Sequence, residues 1–372
     1  MKAVFDKLNA QKGIVIRAVD SVGLNHQKMV MRDYNDPKKA KALFSSGNFT
    51  QSCLGPEGDL KDVPAEKRPK DSVPNANHML VMDSYLMAQV AANSMLKTVE
   101  QGLRGDEYPL GGAYKVVGDG PKVDGEAPFI VAGFSPMGAL GDINRDMIRR
   151  LLLSTRGPVR LLQFAFSSDA VLEALVERAK LEKKDGREFD LKSVGDTPFA
   201  MRPWSVFLRL AGFMLDERLK TPVYKPAKAN PLLKALGKAA FAAVSAFIRV
   251  SPPAYRTHHY KDGDAPAVEY GSKLHHKVLL SGAYAVLGTS FNFSEAANSN
   301  QEQMLVTSDP SLVAAMYAVF DGFFAMTSKS VADEVERRNA YIRNPEGEPD
   351  DLVLDRQYDH VDKEARRSPK KK

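Results

Sequence analysis

Two histidine–lysine pairs recur at the same spacing in this 372-residue chain: His26 with Lys28, and His275 with Lys277. Along a strand, residues i and i+2 face the same side, so each pair presents an imidazole and an ammonium together. A Ser-x-Asn follows each pair, Ser46 with Asn48 and Ser290 with Asn292. Two ammonium groups and two amides make a site for a phosphate oxyanion. Two imidazoles allow nucleophilic attack by one and proton transfer by the other.

The pairs belong to an internal repeat. The first copy reads NHQKMVMRD, FSSGNFTQS and PNANHMLVMDSYLMAQVAANSML; the second reads HHKVLLSG, GTSFNFSEA and SNQEQMLVTSDPSLVAAMYAVF. The shared order is His-x-Lys, Ser-x-Asn, then Asn-x-(Asn/Glu) before a Met-Leu-Val strand and a helix. Packing of the two copies about a pseudo-twofold axis would bring two His, two Lys and two Asn to one place.

This doubled pattern resembles the phospholipase D superfamily, whose motif is His-x-Lys, four residues, Asp, and then Gly-Ser-x-Asn. The first half meets it with His26, Lys28, Asp33, Ser46 and Asn48. The second half matches at His275, Lys277, Ser290 and Asn292, holds Gly282 at the Asp position, and has its glycine displaced to Gly288. The downstream acid of the family is Glu302, with Asn77 at the equivalent first-half position. The likeness spans roughly residues 12–100 and 127–328.

The resemblance implies an α/β fold: two similar phospholipase D-type α/β/α sandwich domains with mixed sheets, the first shortened at its N-terminus. It implies a two-step, metal-free reaction through a phosphohistidine. His26 is then the nucleophile and His275 the general acid/base, an order that the Glu302/Asn77 asymmetry could reverse. Lys28, Lys277, Ser46 and Ser290 would bind phosphate, with Asp33, Asn48, Asn292 and Glu302 completing the site. No cofactor is implied, and one chain suffices for one active site.

Elements must position these groups. Lys28–Arg32, His78–Met82, Phe129–Phe134, Val159–Phe166, Lys277–Ser281, Ala285–Ser290 and Met304–Thr307 read as strands by their apolar content. Gly13–Val19 reads as a further, buried strand and Lys2–Asn9 as a short helix. Helices are expected at Tyr85–Val99, Asn144–Leu153, Ala170–Lys180 and Ser311–Phe324. Lys38–Phe44 reads as a connector, Pro56–Pro74 as a loop, and the Gly-rich Gly111–Pro128 as a linker. The divisions are a first domain over 1–110, a linker over 111–126, a second domain over 127–345 with an insertion at 187–256, and a flexible basic tail over 346–372. By internal symmetry about forty residues, the counterpart of 127–168, precede the first motif in a full repeat, so the chain reads as starting late.

Composition bounds the partners. One cysteine, Cys53, excludes a disulfide framework and a cysteine-based zinc site, and reads as a small buried hydrophobe. Net charge is +6, but it is concentrated. Residues 202–256 carry ten Lys/Arg against Asp216 and Glu217, and Arg366–Lys372 carry five positive charges, so the remaining body is net acidic. The internal basic segment is also apolar, with LLKALGKAAFAAVSAFIRV at Leu232–Val250. That combination suits either an anionic membrane surface or helices packed on the protein's own core. No apolar run is long enough to span a bilayer.

Phospholipid is therefore the expected substrate, by hydrolysis or transfer. A metal-independent nuclease and a decayed membrane-associated scaffold are the alternatives. The location reads as cytoplasmic, peripheral on a membrane, or exported if a signal segment lies upstream. His276 faces away from His275 and reads as a packing residue, as does His78 at a strand start. His258 and His259 read as loop residues and His360 as terminal. The sequons at Asn48 and Asn292 are better explained by the repeat than by glycosylation.

Overall fold

The computed structural model describes residues 24–49, 53, 75–104, 112–136, 143–216, 223–252, 258–260, 268–270 and 273–343. The expected elements at Lys2–Asn9, Gly13–Val19 and Pro56–Pro74, and the tail from Asn344 onward with His360, lie outside them.

The first half contributes strands β1 (Met29–Arg32), β2 (Lys41–Ser45) and β3 (Met79–Met82), paired antiparallel in that order. β2 falls where a connector is expected. Its alternating Ala42, Phe44 face is fully buried, which outweighs the lysines around it. Helix α1 (Tyr85–Arg104) covers this sheet, burying Met87, Ala91, Ser94 and Thr98 at helical spacing.

A separate main sheet is built from β4 (Gly112–Val117), β5 (Phe129–Ser135), β6 (Val159–Gln163), β7 (Leu191–Gly195), β10 (Ile248–Val250), β13 (Lys277–Ser281), β14 (Tyr284–Leu287) and β15 (Glu302–Thr307). Among the described residues they form an eight-stranded mixed sheet in the order β10-β7-β6-β13-β14-β15-β5-β4. Two two-stranded sheets lie outside it: β8 (Phe213–Asp216) with β9 (Val223–Pro226), and β11 (His258–Tyr260) with β12 (Val268–Tyr270). His258 and His259 thus lie on a strand. The linker expectation fails over Gly112–Val117, which pairs with β5 as an edge strand despite its glycines.

Central strands β6, β13 and β15 are buried at every residue, because the sheet is covered on both faces. On one side helices α2 (Ile143–Ser154) and α3 (Asp169–Lys184) pack into a core with Ile148, Leu152, Leu161 and Leu175. On the other, α8 (Pro310–Met326) buries Val313, Met316, Phe320 and Phe323 in a core that also takes in Met29, Phe44 and Met87 of the first half. A last helix, α9 (Val331–Arg343), follows. The layering is the α/β/α sandwich expected from sequence.

The segment 187–256 is no appendage. β7 and β10 extend the main sheet by parallel pairing. Its helices are α4 (Thr197–Ala200), α5 (Val206–Ala211), α6 (Pro231–Leu236) and α7 (Lys238–Ser245). Val206, Phe207, Leu208, Leu210, Leu232, Ile248 and Val250 are buried in the same core as α2 and α3. Most of the apolarity that suggested a bilayer is spent there. α7 is the exception: Ala239, Ala240, Ala242, Ala243 and, just beyond it, Ala246 and Phe247 remain exposed.

Candidate active site

The strand entries of the two halves are stitched to each other. The His26 amide donates to the Gln301 carbonyl at 2.9 Å, and the Gln301 amide to the Leu24 carbonyl at 2.9 Å. In the mirrored arrangement the His275 amide donates to Ala76 at 2.9 Å, and the Ala76 amide to Lys273 at 2.8 Å. Each motif histidine therefore enters beside the other half's Asn-x-(Asn/Glu) strand.

The side chains follow this crossing. His26 Nδ1 lies 2.8 Å from Glu302 Oε2, and His275 Nδ1 lies 3.0 Å from Asn77 Oδ1. Glu302 is 1% exposed. The Asn77 amide nitrogen donates to the carbonyls of Asn75 (2.8 Å) and Cys53 (3.2 Å), which turns its oxygen toward His275. His275 Nδ1 must then carry the hydrogen, leaving the Nε2 lone pair free in the neutral ring. Gly47 makes room for this amide, since a Cβ there would lie 2.7 Å from Asn77 Cγ.

The lysines are buried beside the histidines, Lys28 at 4% exposure and Lys277 at 0%. Lys28 Nζ donates to the His26 carbonyl at 2.5 Å. Lys277 Nζ donates to the His275 carbonyl at 3.0 Å and lies 3.3 Å from His275 Nε2. Burial lowers Lys28 to about 8, opposed by Glu302 and Cys53. Burial, reinforced by the charge of Lys28, lowers Lys277 to about 7, opposed by Glu302, Cys53 and Asp196. His275 is held well below the ordinary imidazole value by burial and then by Lys277, Lys28, His26 and Lys273. These cross-half charges place both pairs in one electrostatic site.

The serines are structural staples more than open ligands. Ser46 Oγ accepts from the His78 amide at 2.9 Å and Ser290 Oγ from the Gln303 amide at 2.7 Å, and both serines are fully buried. Each ties its Ser-x-Asn loop to the strand bearing the partner of a histidine, and accepting an amide leaves the hydroxyl hydrogen as a donor. Asn48 is exposed, and Asn292 is half-buried with Oδ1 buried and unpaired.

Asp33 does not join this cluster, against the expectation that it completes the site. It stands beyond the far end of β1, exposed and ion-paired with Arg32 at 3.1 Å. The four-residue strand β1 separates it from Lys28, on the order of 16 Å. Its counterpart Gly282 occupies the matching turn with φ +57, against +49 at Asp33. A Cβ at 282 would lie 2.3 Å from the Arg156 carbonyl oxygen, so the turn excludes aspartate there for steric reasons.

Several neighbours escape a reading by motif. Phe164 meets His275 edge-on with ring centroids 4.6 Å apart, and Phe199 and then Trp204 continue this aromatic wall. Gln303 brackets the Lys28 backbone, accepting from its amide at 3.3 Å and donating to its carbonyl at 3.1 Å. The equivalent position holds His78, whose Nδ1 lies 3.1 Å from His276 Nδ1, and burial keeps both rings neutral-leaning. The repeat itself is the signal for Gln303 and His78, which follow Glu302 and Asn77. Nothing in the sequence marks Phe164. Among the described residues no cluster of His, Cys, Asp and Glu is arranged to hold a metal.

No known family model matches the chain, and no curated protein does. Among solved structures it is similar to Nuc, a phospholipase D family member from Salmonella typhimurium, at 20% identity over 54% of this chain and 95% of that one, with a TM-score of 0.29. It is similar to NucT from Helicobacter pylori at 12% identity over 54% and 97%, TM-score 0.32. It is also similar to phosphatidylserine synthase from Haemophilus influenzae at 12% identity over 92% and 70%, TM-score 0.45.

Proposed function

We propose that this protein is a phospholipase D-like phosphodiesterase acting through a phosphohistidine. The observation that carries the reading is the crossed pairing: each motif histidine is oriented through Nδ1 by a side chain of the opposite half, with a buried lysine beside it. In this reading both Nε2 atoms serve a shared site where two ammonium groups meet two phosphate oxygens.

His26 attacks phosphorus with Nε2. A P–N bond forms, the P–O bond to the leaving alcohol breaks, and the Glu302 carboxylate faces the positive charge arriving on the ring. The leaving oxygen takes its proton from the His275–Lys277 pair, whose nitrogens are 3.3 Å apart and share one proton. Water or an acceptor alcohol then attacks phosphorus, returns a proton to that pair and releases His26. Asn48 and Asn292 are assigned to the phosphate on the repeat, with Lys28 and Lys277.

Phospholipid is the substrate class we favour. The exposed alanines and Phe247 at α7, next to Lys234 and Lys238, support contact with an anionic bilayer. The two substrate classes separate in one assay, headgroup release from anionic liposomes against cleavage of single-stranded DNA, both with EDTA. Headgroup release lost in His26→Ala is the expected result. Cleavage of DNA alone transfers the reading to a nuclease, and inertness on every phosphodiester leaves a scaffold.

A further inference from the structure

We propose that Asp196 is a positioning residue for the second-half histidine: its carboxylate anchors the chain entering His275 and provides the nearby negative charge that Lys277 faces. The proposal rests on the phosphodiesterase reading above.

Three consecutive amides lead into His275, and each has its own acceptor. Lys273 donates to Asn75 Oδ1 at 2.7 Å, Leu274 to Asp196 Oδ2 at 3.0 Å, and His275 to the Ala76 carbonyl at 2.9 Å. Two of these anchors belong to the first half. Asp196 is the third, and it alone carries charge. In the first half the His26 amide has the matching anchor, the Gln301 carbonyl, while the Asn25 side chain accepts from Gln27, beyond the histidine; neither acceptor is ionisable.

The carboxylate stands on a fixed corner. Asp196 directly follows β7, its amide donates to the Gln163 carbonyl at 3.0 Å, and the Gly195 carbonyl accepts from Ser251 at 2.8 Å. Only 1% of Asp196 is exposed, so it neither moves freely nor meets solvent. Burial pushes its carboxyl up to about 7, against the pull of Lys273, the Leu274 and Phe199 amides, and Lys277. Lys277 is likewise near 7, under burial and Lys28, with Glu302, Cys53 and Asp196 raising it. His275, His276 and His78 also face Lys277, which lowers all three. The Asp196 charge is thus one of three that raise Lys277, after Glu302 and Cys53, and removing it takes that support away.

The test compares Asp196→Asn and Asp196→Ala on bis(p-nitrophenyl) phosphate across pH. Asp196→Asn keeps an acceptor for Leu274 and removes the charge. It should fold normally, keep kcat at low pH within about threefold, and shift the alkaline limb of kcat/KM down by about half a unit or more. Asp196→Ala also loses the anchor, and kcat should fall roughly tenfold or more as His275 drifts. A wild-type pH profile in Asp196→Asn overturns the proposal, and that variant decides the matter if Asp196→Ala fails to fold. A purely structural Asp196 would lower the melting temperature without moving the limb, which also overturns it. A wild-type protein inert on every phosphodiester refutes the phosphodiesterase reading instead.

Discussion

His26 and His275 are each held by a side chain from the opposite half, but one partner is the carboxylate of Glu302 and the other the amide of Asn77. Backbone geometry treats the halves alike: crossed amide bonds, a stapling serine and a buried lysine recur in both. Charge does not. The carboxylates that act on the two lysines lie in the second half, with Glu302 reaching across to His26 and Asp196 adding its charge near Lys277, while the first-half Cys53 also raises both lysines. The groups that orient the ring on the first-half side are neutral: Asn77, Asn75 and the Cys53 carbonyl. A duplicated scaffold thus carries an undivided electrostatic site, in which one histidine is backed by charge and the other is kept neutral with its Nε2 beside Lys277.

The strongest way to break this comparison is to remove either ring. His26→Ala and His275→Ala should each cost on the order of 10³-fold or more in kcat, because the halves supply unlike but equally necessary functions. Retention of substantial activity by either variant would mean that one half is decayed. Trapping in acetate-free alkaline quench followed by peptide mapping should place the phosphoryl group on His26.

Exchanging the partners is the next test. Glu302→Gln preserves shape and should lower kcat about 10²-fold, since the charge arriving on His26 loses its counterion. Asn77→Asp gives His275 a carboxylate. A neighbouring anion favours the protonated imidazole, so the pH at which His275 gains its proton should rise by about one unit, read as an upward shift of the acidic limb of the kcat profile. An unmoved limb would show that burial and Lys277, rather than the missing charge, govern this ring.

Much of this site was legible because it is written twice. One His-x-Lys means little, whereas a second copy with the same sequels fixed His26, Lys28, His275, Lys277 and the Asn77/Glu302 correspondence. Strands and helices with strong apolar periodicity were readable for the same reason that they fold, namely that the pattern is the buried face. The sequence misled where local composition and tertiary use part company. Gly112–Val117 and Lys41–Ser45 look like linkers but gain strand partners, the former pairing with the next strand and the latter standing between β1 and β3. The basic apolar stretch looks like a membrane surface, yet β7, β10 and α5 spend most of it on the core. Asp196 and Phe164 were invisible because they reach the site through the fold, with no repeat to announce them.

The Asp position of the motif yields the smallest effects, and they differ between the halves. Residues 33 and 282 both sit in the left-handed turn after a motif strand, at φ +49 and +57. At 282 the Arg156 carbonyl closes over the turn, 2.3 Å from where a Cβ would stand. Gly282→Asp, which would complete the motif by sequence, should therefore destabilise the fold by about 1–3 kcal/mol without raising kcat, as a melting curve and an assay would show. At 33 the side chain is exposed and holds only a surface ion pair with Arg32. Asp33→Gly relaxes the φ and loses that pair, so stability should stay within about 0.5 kcal/mol and kcat within about twofold. A large loss of activity in Asp33→Gly, with the melting temperature unchanged, would return this residue to the chemistry and would mean that the two turns are alike in shape only.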